Sequence, residues 1–229
     1  MTSERDLYLQ MQGRDVSIHV TRLAFENPTT PENLKQMAPG LVEAAGLLAP
    51  ITTLKAVCYS CTAATVVIGD DVVREAVQSK LPGVPVVTPT AAAIEAFKAL
   101  RARRLAVLTP YTIATSRPMA EFFCNNGLEI VNFDCLGIED DRDMARISHD
   151  TILNAAIAAD RADADALFVS CTALPALTVI KDIERRIGKP VVTSNQASSW
   201  LLTRLGDLSD HRPTGFGKLY DFDLTREKA

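Results

Sequence analysis

The sequence predicts an α/β protein made of two similar lobes, each a short parallel sheet flanked by helices. Short runs rich in Val, Ile and Ala alternate with helix-length stretches, and this alternation is typical of parallel strands covered by helices on both faces. Several short motifs also occur twice in the same order, which indicates a duplicated unit. With 229 residues and 47% hydrophobic content, the chain is long enough to bury a sizeable core.

Seven strands are predicted from the apolar runs, at 16–20, 55–60, 84–88, 104–109, 128–133, 166–170 and 190–193. Helices are predicted between them, at 90–101, 116–125, 143–159 and 177–187. Asn126-Gly127 and Gly188 follow two of these helices and supply the signals that commonly end a helix. The segment after Leu205 has no clear period, so we expect it to be a loosely packed surface segment.

The internal repeat is carried by two pairs of motifs. Ser60-Cys61-Thr62-Ala63 recurs as Ser170-Cys171-Thr172-Ala173, and Pro85-Val86-Val87-Thr88 recurs as Pro190-Val191-Val192-Thr193. Each copy therefore runs strand, SCTA motif, helix, PVVT strand and helix. We expect one lobe at 1–93, with 196–229 packing back on it, and a second lobe at 94–195. The counterpart of strand 104–109 would fall before Met1, so we expect the natural start to lie upstream.

Composition argues against a nucleic-acid-binding, membrane-spanning or secreted protein. The chain has 24 Lys plus Arg against 28 Asp plus Glu, without a basic block that would bind nucleic acid or an anionic membrane. The longest apolar stretch is too short and too polar to span a bilayer, and the N-terminus MTSERDLYLQ lacks the apolar run of a signal peptide. Five cysteines do not make a disulfide scaffold in a chain of this size, so we expect a cytoplasmic protein.

The duplicated cysteines are the candidate site. Cys61 and Cys171 each follow a predicted strand and precede a helix, at the sheet edge where ligands of parallel sheets bind. Helix N-terminal N–H groups bind carboxylates, and we expect them to lower the thiol pKa toward the operating pH. One thiolate could remove a proton from a carbon next to a carboxylate while the other thiol returns one to the opposite face. Thr62, Thr172 and Tyr111 are the candidate donors to the enolate-like intermediate, although the tyrosine could instead be a packing aromatic.

The other cysteines and the histidines are expected to be structural. Cys58 lies on a strand, and Cys124 and Cys135 have no duplicated partner, so we expect all three to pack in the core. Cys58-x-x-Cys61 also matches a redox pair, but Phe168 stands at the equivalent position of the second copy. No second cysteine pair or histidine cluster completes a zinc site, so no metal is predicted. The histidines expected to be non-catalytic are His19, His149 and His211.

These motifs resemble the aspartate/glutamate racemase superfamily, and within it the maleate isomerase and arylmalonate decarboxylase branch. TSERD, NPTTPENL, VVIGDD, LTPYT, SRPMA, GIEDDRDMARI and GKPVVTSNQA look most like the ectoine-utilisation racemase-like proteins. The resemblance implies a two-lobed, cofactor-independent enzyme, a homo-oligomer, and catalytic roles for Cys61 and Cys171. The positions it implies for substrate binding are Thr62, Ala63, Tyr111, Thr172 and Ala173.

Three functions follow from these patterns and the resemblance. The first is a racemase or epimerase of a small carboxylate, with an amino-acid derivative of ectoine breakdown as the candidate substrate and the two cysteines as opposed acid and base. The second is a cis-trans isomerase of a maleate-like diacid, in which one cysteine adds covalently to the double bond. The third is a non-catalytic protein that retains the carboxylate cleft. Glutamate racemases follow their second cysteine with Thr-His, whereas this chain has Thr172-Ala173, which argues against that substrate. Arylmalonate decarboxylases keep one of the two cysteines, so retention of both favours racemisation or isomerisation.

Overall fold

A computed structural model describes residues 2–48 and 53–225. In these residues the chain alternates helices with parallel strands, as the sequence predicts. The strands are β1 (Val57–Cys58), β2 (Val86–Val87), β3 (Arg104–Thr109), β4 (Glu129–Cys135), β5 (Ala166–Val169) and β6 (Val191–Thr193). The helices are α1 (Thr2–Gln10), α2 (Pro31–Lys35), α3 (Leu41–Gly46), α4 (Thr62–Ile68), α5 (Asp70–Gln78), α6 (Pro89–Leu100), α7 (Ile113–Asn125), α8 (Asp141–Met144), α9 (His149–Ala159), α10 (Ile180–Ile187) and α11 (Ser194–Leu205).

The larger sheet has four parallel strands in the order β4-β3-β5-β6. Strand β3 covers the predicted range 104–109, and its residues 105–109 are buried. A strand buried on both faces reads as a continuous apolar run, which is why this one was visible in the sequence. Phe168 on β5 packs edge-to-face against Phe97 of α6 and Phe123 of α7, with ring centroids 5.7 and 5.3 Å apart. This aromatic cluster fixes the helices on one face of the sheet.

The smaller sheet pairs β1 with β2 in parallel, in the register Val57 to Val86 and Cys58 to Val87. The threonine of each PVVT motif caps the helix that follows it. Thr88 Oγ1 accepts from Ala91 N at 3.3 Å at the start of α6, and Thr193 forms a capping box with Gln196 at the start of α11. Helix α11 contacts α1, α6 and strands of both sheets, so it joins the two halves of the repeat.

Two predicted elements differ in the structure. The run Val16–Val20 is irregular and not a strand; Val16 and Val20 are 37% and 49% exposed, because the segment has no neighbouring strand to pair with. The predicted helix 143–159 is divided into α8 and α9. Ser148 interrupts it by capping α9, with its Oγ accepting from Thr151 N at 3.1 Å.

The segment after Leu205 is packed, contrary to the prediction. Leu219 and Tyr220 are buried, and Trp200 Nε1 donates to Phe222 O at 3.0 Å. The Glu184 carboxylate of α10 accepts from Lys218 N at 3.0 Å. The prediction failed because the polar residues of this segment conceal two large side chains that enter the core.

The environments of two further side chains are known only from the structure. His211, expected to be non-catalytic, is buried, with its Nε2 2.6 Å from Gln10 O. Cys124 is exposed, so its predicted place in the core is wrong. Within the described ranges, the helices are too short or too polar to cross a membrane.

Candidate active site

Cys61, in the first SCTA motif, lies at the N-terminus of α4. It is the N-cap residue, with extended backbone at φ −150°, and it is half-buried. The N–H groups of Ala63 and Ala64 in the first turn face its sulfur. These groups have no carbonyl partner within a helix, so they are available to a thiolate or to a ligand carboxylate.

Cys171 follows β5 in a different local conformation. Its φ is +95°, and a bend, not an α-helix, follows it; α10 is preceded by the 3-10 turn Leu177–Val179. Ala173 N donates to Cys171 Sγ at 3.3 Å, and the nearby Tyr111 hydroxyl lowers the pKa of this thiol. Only Cys61 therefore lies at an α-helix N-terminus, although both sulfurs receive backbone N–H groups.

The loops that carry the two cysteines lie side by side, since Thr172 Oγ1 donates to Ser60 O at 3.1 Å. The charge of a Cys171 thiolate raises the pKa of Cys61, and Tyr111 is influenced by both sulfurs. Tyr111 lies after β3, whose neighbour β5 carries the second SCTA motif. The repeat thus brings together the residues that the sequence singled out. Tyr111 packs in the core, as the alternative for this residue expects, and its hydroxyl also lowers the pKa of Cys171.

Burial dominates the acidity of both thiols. It raises the pKa of Cys61 to about 12 and that of Cys171 to about 11, because a thiolate loses its hydration in an apolar environment. The surrounding N–H groups and the Tyr111 hydroxyl lower both values only in part. The predicted lowering of the thiol pKa is therefore wrong for the ligand-free site, in which both cysteines are neutral.

Ser194, the first residue of α11, connects the two cysteine loops. Its Oγ accepts from Thr62 Oγ1 at 2.8 Å and from Cys171 N at 3.1 Å. All three residues are buried. The hydroxyl of Thr62 is therefore hydrogen-bonded to Ser194, so the contact with substrate predicted for Thr62 would have to be made by its backbone. Sequence analysis missed Ser194, although its place directly after the second PVVT motif was a usable signal.

Further contacts brace the second loop against the first. Thr172 Oγ1 donates to Ser60 O at 3.1 Å, and Asn195 Nδ2 donates to Thr172 O at 3.1 Å. The same amide donates to the buried carboxylate of Asp6 at 2.8 Å. The hydroxyl predicted to bind substrate at Thr172 thus serves, like that of Thr62, to join the two halves. The remaining predicted contact residues, Ala63 and Ala173, stand beside the cysteines on these loops.

One acidic group that sequence analysis left without a role also acts on the site. Asp141 begins α8, after the loop that follows β4. Its charge raises the pKa of both cysteines and of Tyr111. Asp141 belongs to the GIEDDRDMARI segment, but a single Asp in an acidic run gives no sign of which carboxylate faces a cleft.

The arrangement suits acid-base or nucleophilic chemistry at one carbon centre. It offers two neutral thiols, a phenol that lowers the pKa of one of them, and free N–H groups at α4 that can hold a carboxylate. Among the described residues, His, Cys, Asp and Glu do not form a cluster able to hold a metal ion. Two surface cavities of about 470 and 480 Å³ adjoin Ile94 and Lys98 of α6 and are lined by other residues.

Parallel sheets flanked by helices, with repeat-related cysteines on adjacent loops, define the aspartate/glutamate racemase-like class of folds. The chain belongs to the arylmalonate decarboxylase family, whose model matches residues 40–220. The family predicted from the sequence is therefore confirmed. The relation to ectoine utilisation stays a prediction.

The individual relatives include an arylmalonate decarboxylase and maleate isomerases. The chain is 33% identical over 141 residues to an arylmalonate decarboxylase of Bordetella bronchiseptica, covering 61% of this chain and 59% of that protein. It is 26% identical over 215 residues to a maleate isomerase of Nocardia farcinica, covering 90% and 84%. The structure of the Nocardia farcinica maleate cis-trans isomerase bound to TRIS superposes with a TM-score of 0.87, at 25% identity, covering 96% and 93%. These relatives support an isomerase.

Proposed function

We propose that this protein is a cofactor-independent racemase or epimerase of a small carboxylate, with Cys61 and Cys171 as the acid-base pair. The observation that supports the proposal is that the loops of the two repeat-related cysteines lie side by side. The two thiols interact through their charges, and the Tyr111 hydroxyl lowers the pKa of Cys171. Opposed groups of one chemical type can exchange the roles of base and acid, which racemisation requires in its two directions.

The proton balance of the cycle is simple. One cysteine enters as thiolate and takes the proton from the carbon next to the substrate carboxylate. The electron pair left on that carbon delocalises into the carboxylate, where the N–H groups of Ala63 and Ala64 can stabilise the charge. The second cysteine then gives its proton to the opposite face and becomes the thiolate, so the product enantiomer leaves the pair ready for the reverse reaction.

The proton transfers require one thiolate and one thiol. Burial raises the pKa of both thiols, so the second thiol keeps its proton when the first is ionised. The Tyr111 hydroxyl lowers the pKa of Cys171, so Cys171 is the more readily ionised of the two. When the neutral pair loses one proton to solvent, we therefore assign the thiolate to Cys171 and the remaining proton to Cys61.

A second candidate is cis-trans isomerisation of a maleate-like diacid, which the maleate isomerase relatives favour. A cysteine-to-serine mutant of the Nocardia farcinica enzyme holds a covalently bound succinylcysteine intermediate. In this chemistry one thiolate adds to a carbon of the double bond, and the neighbouring carbon takes a proton. Rotation about the resulting single bond, loss of that proton and expulsion of the thiolate give the trans diacid.

Proton NMR in deuterated water tests the leading proposal. The substrates are amino acids, diaminobutyrate derivatives and maleate, and the variants are Cys61→Ser and Cys171→Ser. We expect deuterium at the carbon next to the carboxylate, and loss of racemisation in each variant with exchange retained for one enantiomer. Cys124→Ser, at an exposed position, is the matched control and should behave as wild type.

Two results would reject the proposal. One is normal racemisation by both site variants. The other is conversion of maleate with a stable adduct on a single cysteine, detected by intact mass, which would establish the second candidate. Binding of carboxylates with no turnover of any substrate would instead support the non-catalytic function.

We also propose a cytoplasmic homo-oligomer whose substrate is an amino-acid derivative of ectoine breakdown. Resemblance of the GIEDDRDMARI and GKPVVTSNQA segments to ectoine-utilisation proteins supports the substrate, and five free cysteines fit a reducing compartment. Light scattering during size-exclusion chromatography measures the oligomeric state, and a single monomer peak at micromolar concentration would contradict this part.

A further inference from the structure

The carboxylate of Asp141 is held beside the candidate site by its backbone. The loop that precedes it lies along the chain at Tyr111, since Ile138 N donates to Pro110 O at 2.8 Å and Gly137 N donates to Tyr111 O at 3.1 Å. Asp141 N itself donates to Asn27 Oδ1 at 2.9 Å. The loop before α8 is therefore fixed against the backbone of Tyr111, and the charge of Asp141 raises the pKa of the Tyr111 phenol.

This carboxylate has no hydrogen bond or ion pair within the described part of the chain. The nearest cations along the chain are already engaged. Arg142 Nε lies 2.9 Å from Asp140 Oδ1, and Arg146 Nη1 lies 3.2 Å from Asp143 Oδ1. Asp141 is nevertheless half-buried, and burial together with the charge of Asp140 raises its pKa.

A second polar group without a partner lies against the same turn. Thr29 is 5% exposed, and its hydroxyl has no hydrogen-bond partner. Its backbone N donates to Glu139 O at 2.7 Å, and its carbonyl accepts from Thr115 Oγ1 at 2.8 Å. Buried polar groups are almost always hydrogen-bonded, so the buried, unpaired hydroxyl of Thr29 indicates a site that a ligand completes. The partly exposed carboxylate of Asp141, also without a partner, lies at the same turn.

We propose that Asp141 binds the ammonium group of a zwitterionic substrate, so that the site selects amino acids over dicarboxylates. This inference rests on the proposed function, because it assigns a subsite of the same cleft. An ammonium group supplies the charge and the three donors that a half-buried carboxylate lacks. The substrate carboxylate faces the N–H groups at α4, and the carbon between the two charged groups comes to the sulfurs.

The charge at Asp141 also disfavours the alternative ligand. A maleate-like dianion would bring a second carboxylate toward a carboxylate already beside two buried thiols, and like charges in a poorly hydrated site repel strongly. An ammonium group held there would instead stabilise the negative charge that develops on the neighbouring carbon during proton removal.

Calorimetric binding of matched ligand pairs tests the assignment. Alanine and lactate, aspartate and malate, and 2,4-diaminobutyrate and 4-amino-2-hydroxybutyrate each differ only by ammonium against hydroxyl at one carbon. We expect the wild type to bind at least one amine about tenfold to a hundredfold more tightly than its hydroxy partner, the range for a hydrogen-bonded charge. We expect maleate to bind more weakly than aspartate.

The variants separate Asp141 from its neighbours. Asp141→Asn should remove the preference for the amine and tighten maleate binding, while Asp141→Glu should retain part of the preference. Asp143→Asn, which removes an exposed carboxylate of the same helix, should bind as wild type. An unchanged thermal midpoint in Asp141→Asn, measured alongside, shows that the site is still folded.

The inference is overturned if no amine in the panel binds better than its hydroxy partner, or if Asp141→Asn keeps the wild-type ratio. Failure of the proposed function is a separate result. An Asp141-dependent preference for amines without deuterium entering the substrate would remove the two-thiol mechanism and leave the ammonium subsite. Deuterium exchange together with equal binding of each amine and its hydroxy partner would instead retain the two-thiol mechanism and reject the ammonium subsite.

Discussion

Replacing Ser194 by Ala should weaken both the fold and the candidate site, because one hydroxyl oxygen serves both cysteine loops. The substitution removes the acceptor of Thr62 Oγ1 at 2.8 Å and of Cys171 N at 3.1 Å. Both donors are buried, and a buried donor left unpaired costs about 1–3 kcal/mol. The Thr62 hydroxyl can rotate toward another acceptor, so we expect the free energy of unfolding to fall by about 2–4 kcal/mol.

Urea denaturation followed by circular dichroism measures this loss, and turnover measures its effect on the site. Displacement of the Cys171 loop should lower kcat about tenfold to a hundredfold. Ser198→Ala is the matched control on the same helix, one turn further along. Its hydroxyl donates to Ser194 O at 2.8 Å, a carbonyl within α11, and also lowers the pKa of the Cys58 thiol. Because a thiol is a weak hydrogen-bonding group, removal of the Ser198 hydroxyl should cost less than about 1 kcal/mol. If the two variants unfold within about 0.5 kcal/mol of each other, the hydroxyl of Ser194 does not connect the loops as described.

Three further predictions concern the thiols and the C-terminal segment. Tyr111→Phe removes the hydroxyl that lowers the pKa of Cys171. The pH-rate profile should therefore shift to higher pH, and kcat at neutral pH should fall about tenfold or more. An unshifted profile would contradict this effect of the Tyr111 hydroxyl on Cys171. Burial raises the pKa of Cys61 and Cys58 to about 12 and of Cys171 to about 11. Between the unfolded thiol value of about 8.5 and these values the folded chain holds more protons, so stability should fall as pH rises, by up to about 1.4 kcal/mol per pH unit for each thiol. Urea titrations from pH 8 to 11 should be flatter for the Cys61→Ser/Cys171→Ser variant, and equal slopes would refute the thiol contribution. Glu184→Ala leaves Lys218 N and Val191 N without their carboxylate acceptor. The free energy of unfolding should therefore fall by about 2–4 kcal/mol, and limited proteolysis should cut the C-terminal segment sooner. The control Asp182→Ala, on the exposed face of α10, should change neither the stability nor the rate of cleavage.

The central part of the larger sheet was predictable from sequence because β3, β5 and β6 are buried on both faces. Strand β3 matches its predicted range, and β4, β5 and β6 differ from theirs by one or two residues; continuous apolar runs such as β3 and β5 admit few alternatives. The run at 16–20 also contains Val and Ile but pairs with no strand among the described residues, and a single sequence does not record which strands find a partner. The buried segment around Tyr220 was missed for a related reason, since two core side chains do not make a periodic pattern.

The candidate site was predictable where it was duplicated. The repeat of the SCTA motif drew attention to Cys61 and Cys171, whose loops the fold brings side by side. Ser194 and Asp141 were missed because each occurs once and acts through its position in space. The acidity of the thiols was also misjudged, since the sequence shows the helix start at Cys61 but not how much water the closed cleft excludes.

The left-handed backbone of Cys171 has a bearing on how the site can change. At φ +95° a side chain crowds its own backbone, a conformation that costs about 1–3 kcal/mol for residues other than glycine. Any exchange for Gly at this position would therefore release strain while abolishing the thiol. Substitution of Cys171 by Gly would thus give a more stable protein that binds ligand but lacks one of the two thiols. Only selection for turnover would retain the cysteine at this position.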